Sequence, residues 1–476
     1  MQTQFQRQKP MEAEPCSIAL NILRDKFFYD DGKNGVYTLR NWRGTYYLWQ
    51  DGRYIPISRE TLENLVVSTV AYKTGMQEIK RYSSHAITAI MQIIRSQTAI
   101  PEQYELNTIL DRELIDDSPN NYLCMENLTI YVKETSLGRW YTTPHSPRYF
   151  TMNILPYRYI EDAQCPQWLR FIETVTCGDK ELQILLQQWA GYLLRNDLRE
   201  QKFLLCYGSG ANGKGVFTNI LERMLGKDNC SHVPLHQFAN PFALGTTLGK
   251  KLNSTSESSD EICKFSESML KSFVAGDRME FARKFKDPVR AVPTAKIMIS
   301  TNELPKFGDP STGLWRRLLL VPFNVTIPEE KQDKRLAENL ECEMPGIFNW
   351  ALHGVKLLTE HNGFIRPAVS VEAIKNYRRS VDHIRTFLEE NFTSAENSTG
   401  LCVRRVYSLY RHWCENGGYS PINANQLGHR IQTMFPLVRK IRRRVGQRRE
   451  HYYESLNIIS DSELNSYGFG QDLMFF

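Results

Sequence analysis

The sequence predicts an α/β protein in which a phosphate-loop core lies between two smaller units. Three observations point there. Residues 203–217, "FLLCYGSGANGKGVF", run from an apolar strand through a glycine-rich turn into an apolar helix. Short apolar strands at 203–207, 295–300 and 318–323 alternate with helical and loop segments, the spacing of a parallel sheet covered by helices. Beyond residue 380, helical segments lead into a hairpin dense in arginine.

At 476 residues the chain is too long for one core. Apolar residues make up 41% and charged residues 24%, as in ordinary soluble globular proteins. No apolar run reaches the length of a membrane span, so no membrane partner is expected. The start, "MQTQFQRQKPMEAEPC", has neither the apolar core nor the cleavage site of a secretory signal. The ten cysteines are scattered, with no C-x-x-C, which argues for reduced thiols in a cytoplasmic setting and against a zinc ribbon. The net charge of +6 says little; its distribution says more.

Residues 1–160 mix helix and strand signals. Aromatic and β-branched runs in 37–58 are broken by Asp51-Gly52, a hairpin-turn dipeptide. Helices are expected at 59–75 and 84–97, then a strand in "ENLTIYVKE" and a proline-spaced stretch at 144–167. No chemistry is legible here, and an N-terminal α/β docking or assembly domain is expected. Residues 161–360 are expected to form one α/β unit. Leu182, Leu185, Trp189 and Leu193 share a helical face, and a helix at 344–358 closes the unit. The polar, proline-containing stretch 361–380 reads as a linker. In 381–460, helices at 381–391, 401–415 and 423–434 precede the basic hairpin, an order expected of a winged helix. Residues 461–476 read as a tail.

The glycine loop carries the first chemistry. A strand, a flexible turn and a helix start aim backbone N–H groups at one point, where the helix dipole also favours anions. Gly208, Gly210 and Gly213 permit the tight path. With Ser209, Ala211, Asn212, Gly215 and Val216 they form the cradle, and Lys214 reaches toward the β- and γ-phosphates. Metal-assisted phosphoryl transfer also needs an acid at a strand end, a polar group near the γ-phosphate and a cation. Glu257, preceded by Ser256, supplies the acid; Asn302 ends the strand in "TAKIMISTNELP"; Arg316 and Arg317 lie in "GLWRRLLLVPF". Each is an ordinary surface residue when taken alone, and their order behind one phosphate loop is what singles them out. ATP and Mg2+ are the expected cofactors.

Two oxygens usual at such a site are missing. Gly215 stands where a Ser or Thr hydroxyl normally follows the lysine, and Ser256 stands where a second acid would precede Glu257. Magnesium is therefore expected to be held mainly by phosphates and waters, with Ser256, Glu257 and Thr218 around it.

The chain resembles the phage and plasmid primase–helicase family, whose motor is similar to the poxvirus-type superfamily-3 helicases of the AAA+ class. The likeness runs from about 110 to 360 and more loosely to 455. It rests on "SPRYFTMNILPYRY", "CPQWLRFIETV", "WAGYLL", "YGSGANGKGVFTNIL", "VAGDRMEFARKFKDP", "PTAKIMISTNELPKFGDPSTGLWRRLLLVPF" and "PGIFNWALHG". The resemblance implies an AAA+ P-loop ATPase core with a phosphate-binding Lys214, a Walker B acid at Glu257 and a sensor at Asn302. It also implies an arginine finger, Arg317 or Arg316, donated to the neighbouring subunit of a hexameric homo-oligomer. Arg283, Lys284 and Lys286 match a pore hairpin that touches single-stranded DNA.

On this reading the protein is an ATP-dependent replicative helicase of a phage, plasmid or integrated element, acting in the host cytoplasm. The alternatives are a nucleotide-organised origin-binding or assembly protein, and the helicase half of a primase–helicase system. No zinc-binding cysteine set or paired catalytic carboxylates precede the motor, so a separate primase or polymerase is the expected priming partner. The segment 439–449, "RKIRRRVGQRR", has seven basic residues and no acid. Its Arg442, Arg443 and Arg444 are expected to contact duplex DNA through phosphates.

Overall fold

The structure, a computed structural model, describes residues 15–30, 32, 34–73, 83–110, 122–133, 139–256, 267–284, 286–305, 312–333, 335–395, 400–445 and 448–459. It divides into two compact units, Met1–Val371 and Glu372–Phe476.

The first unit opens with helix α1 (Pro15–Lys26) and an antiparallel meander of β1 (Leu39–Trp42), β2 (Thr45–Gln50) and β3 (Arg53–Ile57). Helices α2 (Arg59–Lys73) and α3 (Ser84–Thr98) follow. Leu39, Val66, Ile90 and Ile94 meet Ile22 and Leu23 in one apolar cluster. Both meander turns hold two successive positive φ angles, 48° and 87° at Asp51-Gly52 and 47° and 78° at Arg43-Gly44. That conformation matches the twist of tight hairpins. Sequence pointed only to the first of these turns, because arginine is a poor left-handed residue. Arg43 is tied down by its contacts: it pairs with Glu105 at 2.9 Å and lies 4.6 Å from the Trp42 ring. A second meander, β4 (Tyr122–Cys124), β5 (Thr129–Lys133) and β6 (Arg139–Thr143), precedes the motor-like part.

That part contains α4 (Pro166–Val175), α5 (Lys180–Leu194), β7 (Phe203–Tyr207), α6 (Lys214–Leu225), β8 (Cys230–Ser231), the short helix α7 (Pro241–Gly245) and β9 (Leu252–Ser256). It continues through α8 (Glu267–Ala275), the hairpin β10 (Met279–Arg283) and β11 (Lys286–Ala291), β12 (Lys296–Thr301) and β13 (Leu318–Pro322). Helices α9 (Leu336–Cys342) and α10 (Met344–Glu360) close it. Among the described residues the central sheet has five strands in the order β8-β9-β12-β7-β13, all parallel. The first strand in sequence thus sits between the fourth and fifth. Every residue of β12 and β13 is buried, as expected of strands covered on both faces.

Packing fixes the helices around this sheet. The α5 face read from sequence is buried, with Trp189 and Leu193 both at 0% exposure. Trp168 of α4 stacks on Phe217 of α6 at 5.9 Å. Helices α5 and α10 approach through glycines: a Cβ on Gly354 would lie 1.9 Å from the Gln187 carbonyl oxygen, so no larger residue fits. At the opposite end of the sheet from the glycine-rich loop, two buried lysines cap the C-terminus of α5. Lys251 Nζ donates to the Leu194 carbonyl at 3.0 Å and to Asn196 Oδ1 at 2.7 Å, and Lys296 Nζ donates to the Arg195 carbonyl.

The division between units falls inside α11 (Ala368–Val381), which occupies much of the stretch expected as a linker. Just before it, Phe364 and Ile365 pack on the core of the first unit, so this proline-containing segment is folded. The second unit has α12 (His383–Asn391), the short β14 (Leu401–Cys402), α13 (Val403–Gly417), α14 (Ala424–Met434) and the hairpin β15 (Arg439–Val445) and β16 (Arg448–Glu454). Strand β16 pairs with both β14 and β15. Phe387, Val406, Tyr410, Ile431 and Tyr453 form its core. Among the described residues no helix is long and apolar enough to cross a membrane. The expected tail, 461–476, lies outside the described residues.

Candidate functional site

The C-terminal ends of β9 and β12 and the start of α6 enclose a cleft of about 810 Å³. Lys214, Gly215, Ser256 and Asn302, singled out from sequence, all line it. Its shape follows from the sheet order. Strand β7 sits beside β12, so the loop leaving β7 faces the ends of β12 and β9 across a crevice, where open α/β sheets bind ligands.

The loop is held at several points. Gly208 N–H donates to the Thr301 carbonyl at 3.3 Å, and the Ala211 carbonyl accepts from Ile327 N–H at 2.9 Å. Asn212 Nδ2 donates to the Phe323 carbonyl at 3.1 Å. Glycine is required at both ends of the loop. A Cβ on Gly208 would lie 2.5 Å from the Phe323 carbonyl oxygen; at Gly213, with φ +88°, it would lie 2.6 Å from Val175. Gly210 also has positive φ, and Ala211 sits at +47°. At Gly215 a Cβ would meet nothing within 4 Å.

Lys214 lies under this loop. Its Nζ donates to the Gly208 carbonyl at 2.6 Å and to Asn212 Oδ1 at 3.0 Å, and burial lowers its pKa from the usual lysine value. Hydroxyls line the facing wall: Thr218 Oγ1 lies 3.2 Å from Ser300 Oγ, and Ser256 ends β9. Glu257 falls outside the described residues. Sequence reasoning missed the deeper wall. There Ser254 Oγ donates to Glu222, while His232 Nδ1 lies 3.2 Å from Ser254 Oγ and 3.8 Å from the Glu222 carboxylate. The only legible signal was spacing: Lys214, Thr218 and Glu222 recur every four residues, one helical face.

Arg316 and Arg317 do not join this cluster. Arg317 precedes β13, its carbonyl accepting from Phe203 N–H at 3.0 Å at the start of β7. The length of a five-residue strand, on the order of 16 Å, separates it from the glycine-rich loop. Arg317 is 9% exposed and donates to the Gly313 carbonyl at 2.8 Å; burial, then neighbouring Arg316, lowers its pKa. Arg316 is exposed.

The β10–β11 hairpin is anchored on the N-terminal meander. Arg283 Nη1 donates to Thr45 Oγ1 at 2.8 Å, Arg43 Nη1 donates to the Arg290 carbonyl at 2.5 Å, and Glu105 pairs with both Arg43 and Arg278 at 2.9 Å. Arg283 is thus committed to the meander, whereas Lys284 is exposed. Lys286 opens β11, and its side chain lies outside the described residues. Helix α7 packs on β10 through Gly245, where a Cβ would lie 2.1 Å from the Ala282 carbonyl oxygen. It carries Phe242 at 56% exposure, an aromatic that sequence reasoning did not single out.

In the second unit the basic hairpin has two unlike faces. Arg442 lies opposite His451 and Arg444 opposite Arg449, so these four share one face, free of carboxylates. Arg443 lies opposite Glu450 on the other face, 3.2 Å from Glu454 and 5.7 Å from the Tyr452 ring. Strand alternation separates Arg443 from its two neighbours.

Three protein families match the chain in order. Residues 21–177 match "D5 N terminal like", 206–317 match a family of unknown function (DUF5906) and 379–462 match "Poxvirus D5 protein-like". Among curated relatives, "Putative helicase L207/L206" of Acanthamoeba polyphaga mimivirus is 24% identical over 325 residues, covering 60% of this chain and 32% of its own length. "Putative helicase 022R" of Frog virus 3 (isolate Goorha) is 25% identical over 236 residues, covering 43% of this chain and 23% of its own. The chain therefore spans a third or less of either viral relative. In fold it is similar to the apo structure of the NrS-1 C terminal region (305–718), with TM-score 0.57 and 12% identity over 93% of this chain and 100% of that one. The A form apo structure of that region gives TM-score 0.54 at 11% identity, covering 88% and 97%.

Proposed function

From a chain that resembles the primase–helicases of the poxvirus D5 type, we propose an ATP-dependent DNA helicase with a superfamily-3, AAA+ motor that works as a homo-oligomeric ring, hexameric by resemblance. One observation carries the proposal: a single cleft at the ends of adjacent parallel strands gathers Lys214, Ser256 and Asn302 beneath a glycine-rich loop. The strand order supports the AAA+ assignment.

The residues present fit a nucleoside triphosphate. Lys214 now donates to a loop carbonyl and an amide oxygen, and it exchanges these for phosphate oxygens when the loop is filled. Asn302 acts as the polar sensor near the γ-phosphate, and Glu257 is the acid that holds magnesium or orients the attacking water. The cleft also fits magnesium, an ion that keeps most of its waters: the hydroxyls of Thr218, Ser256 and Ser300 would hold those waters, and Glu257, outside the described residues, is the expected carboxylate. When bound, the ion neutralises charge on the phosphates. Arg316 and Arg317 are too far from their own cleft to act there, which supports a role on a neighbour's nucleotide. Exposure favours Arg316 as the finger and leaves Arg317 to hold the strand end.

Single-stranded DNA is gripped by Lys284 and Lys286 on the hairpin, and the exposed Phe242 of α7, which packs on that hairpin, offers a stacking surface. The helix, helix and hairpin order, with β14 beside β16, supports a C-terminal winged helix. Its wing binds duplex phosphates through Arg442 and Arg444, joined by Arg449 and His451.

A second reading, an assembly protein organised by nucleotide without unwinding, is favoured by Gly215, which removes one magnesium ligand. Strand displacement from a forked duplex with ATP and Mg2+ separates the two. The wild-type chain should displace the strand and Lys214→Ala should lose at least a hundredfold in both displacement and ATP hydrolysis. ATP hydrolysis without displacement favours the second reading; no hydrolysis with saturating DNA overturns the first.

A further inference from the structure

A groove of about 500 Å³ opens on the N-terminal part of the first unit, remote in sequence from the nucleotide cleft. Three aromatic side chains line it: Phe28, Tyr37 and Tyr104. Two guanidinium groups, Arg40 and Arg148, line it as well, and among the described residues that line it there is no Asp or Glu. Phe28 is 45% exposed, so its ring is open to a partner in the groove. Its ring meets Tyr37 edge-on at 6.1 Å and lies against Gly35, where a Cβ would fall 2.1 Å from the ring. Only glycine permits that seat. The Arg40 guanidinium is seated from below by the buried Tyr54 hydroxyl, which fixes its position at the groove wall.

We propose that this groove binds single-stranded nucleic acid, with a base stacked on Phe28 or Tyr104 and a phosphate held by Arg40 and Arg148. Aromatic faces with arginine and no acid are the combination that takes a strand without reading its sequence. The volume suits about one nucleotide and lies within the range of small-ligand pockets. Position supports the same occupant. Arg40 lies on β1, and Arg43, three residues on, donates to the Arg290 carbonyl of the β10–β11 hairpin. At strand spacing that step is about 10 Å, so the strand that bears Arg40 ends close to the hairpin that bears Lys284.

The test uses the full chain and a fluorescein-labelled oligothymidine, read by anisotropy without nucleotide, together with photocrosslinking of a 5-iodouracil-substituted strand. Phe28→Ala, at an exposed position, and Arg40→Gln should each weaken binding on the order of tenfold, and crosslinks should map to Phe28, Tyr37 or Tyr104. Lys214→Ala should keep these crosslinks. Unchanged affinity in both groove variants, or crosslinks confined to other segments, overturns the proposal, as does a groove that protects only a phosphopeptide. The outcomes are separable from those of the helicase reading: a chain that fails to hydrolyse ATP but crosslinks here keeps this site and loses that function, and an active helicase without groove crosslinks does the reverse.

Discussion

Lys251 shows what burial does to one charged side chain. It is enclosed at the base of the sheet and bonded to the end of α5, and burial pulls its pKa down to about 7. Lys296 beside it is lowered in the same direction, first by burial and then by Lys251. An unfolded lysine titrates near 10.4. Above pH 7 the folded chain therefore sheds a proton that the unfolded chain keeps, and stability rises with pH. The window ends near pH 8.5, where thiols of the unfolded chain ionise while the buried Cys124, raised by burial to about 11, stays neutral. Urea unfolding should give a higher midpoint at pH 8.3 than at pH 7, and Lys251→Met should flatten that slope. An unchanged slope would mean that Lys251 titrates like an exposed amine.

At the scale of elements, helix α6 carries the most informative departure from pattern. Its second residue, Gly215, has open space around the missing Cβ, so no packing demand explains glycine there. Glycine within a helix costs up to about 1 kcal/mol relative to alanine. Gly215→Ser should therefore fold at least as stably as the parent, with an unchanged or slightly higher thermal midpoint. It should also lower the Mg2+ concentration that half-saturates ATP hydrolysis, because a hydroxyl returns where phosphate loops usually place one. A magnesium titration of the two proteins reads this directly, and an unchanged half-saturation point would show that the ion does not approach that position.

At the scale of the whole molecule, the distance between the cleft and Arg316 decides how the proposed motor is built. If Arg316 serves a neighbour, Lys214→Ala chains still carry a working finger and Arg316→Ala chains still carry a working cleft. Each protein should be nearly inactive alone, and a mixture of the two should recover a measurable fraction of ATP hydrolysis. Absence of recovery, with mixed assemblies shown to form, would remove the shared site. The anchoring of the hairpin through Arg283, Arg43 and Glu105 implies that the N-terminal meander moves with the hairpin.

Local pattern carried much of this molecule into view. The loop from Gly208 to Lys214, the buried faces of α5 and α6 and the basic hairpin each depend on neighbours within a few residues, which glycine, apolar period and charge runs encode directly. What lay hidden depends on contacts between distant segments. Arg43-Gly44 is a turn because Glu105 and Trp42 hold the arginine. Ser254, His232 and Glu222 meet only because β9 lies beside the end of α6. Arg442 and Arg443, adjacent in sequence, take opposite faces once paired in a strand. Sequence alone determined which segment makes the glycine-rich loop at the start of α6, since its glycines and one lysine suffice to mark it. The tertiary structure decided which residues share its cleft, because strand order, not chain order, sets what lies opposite what.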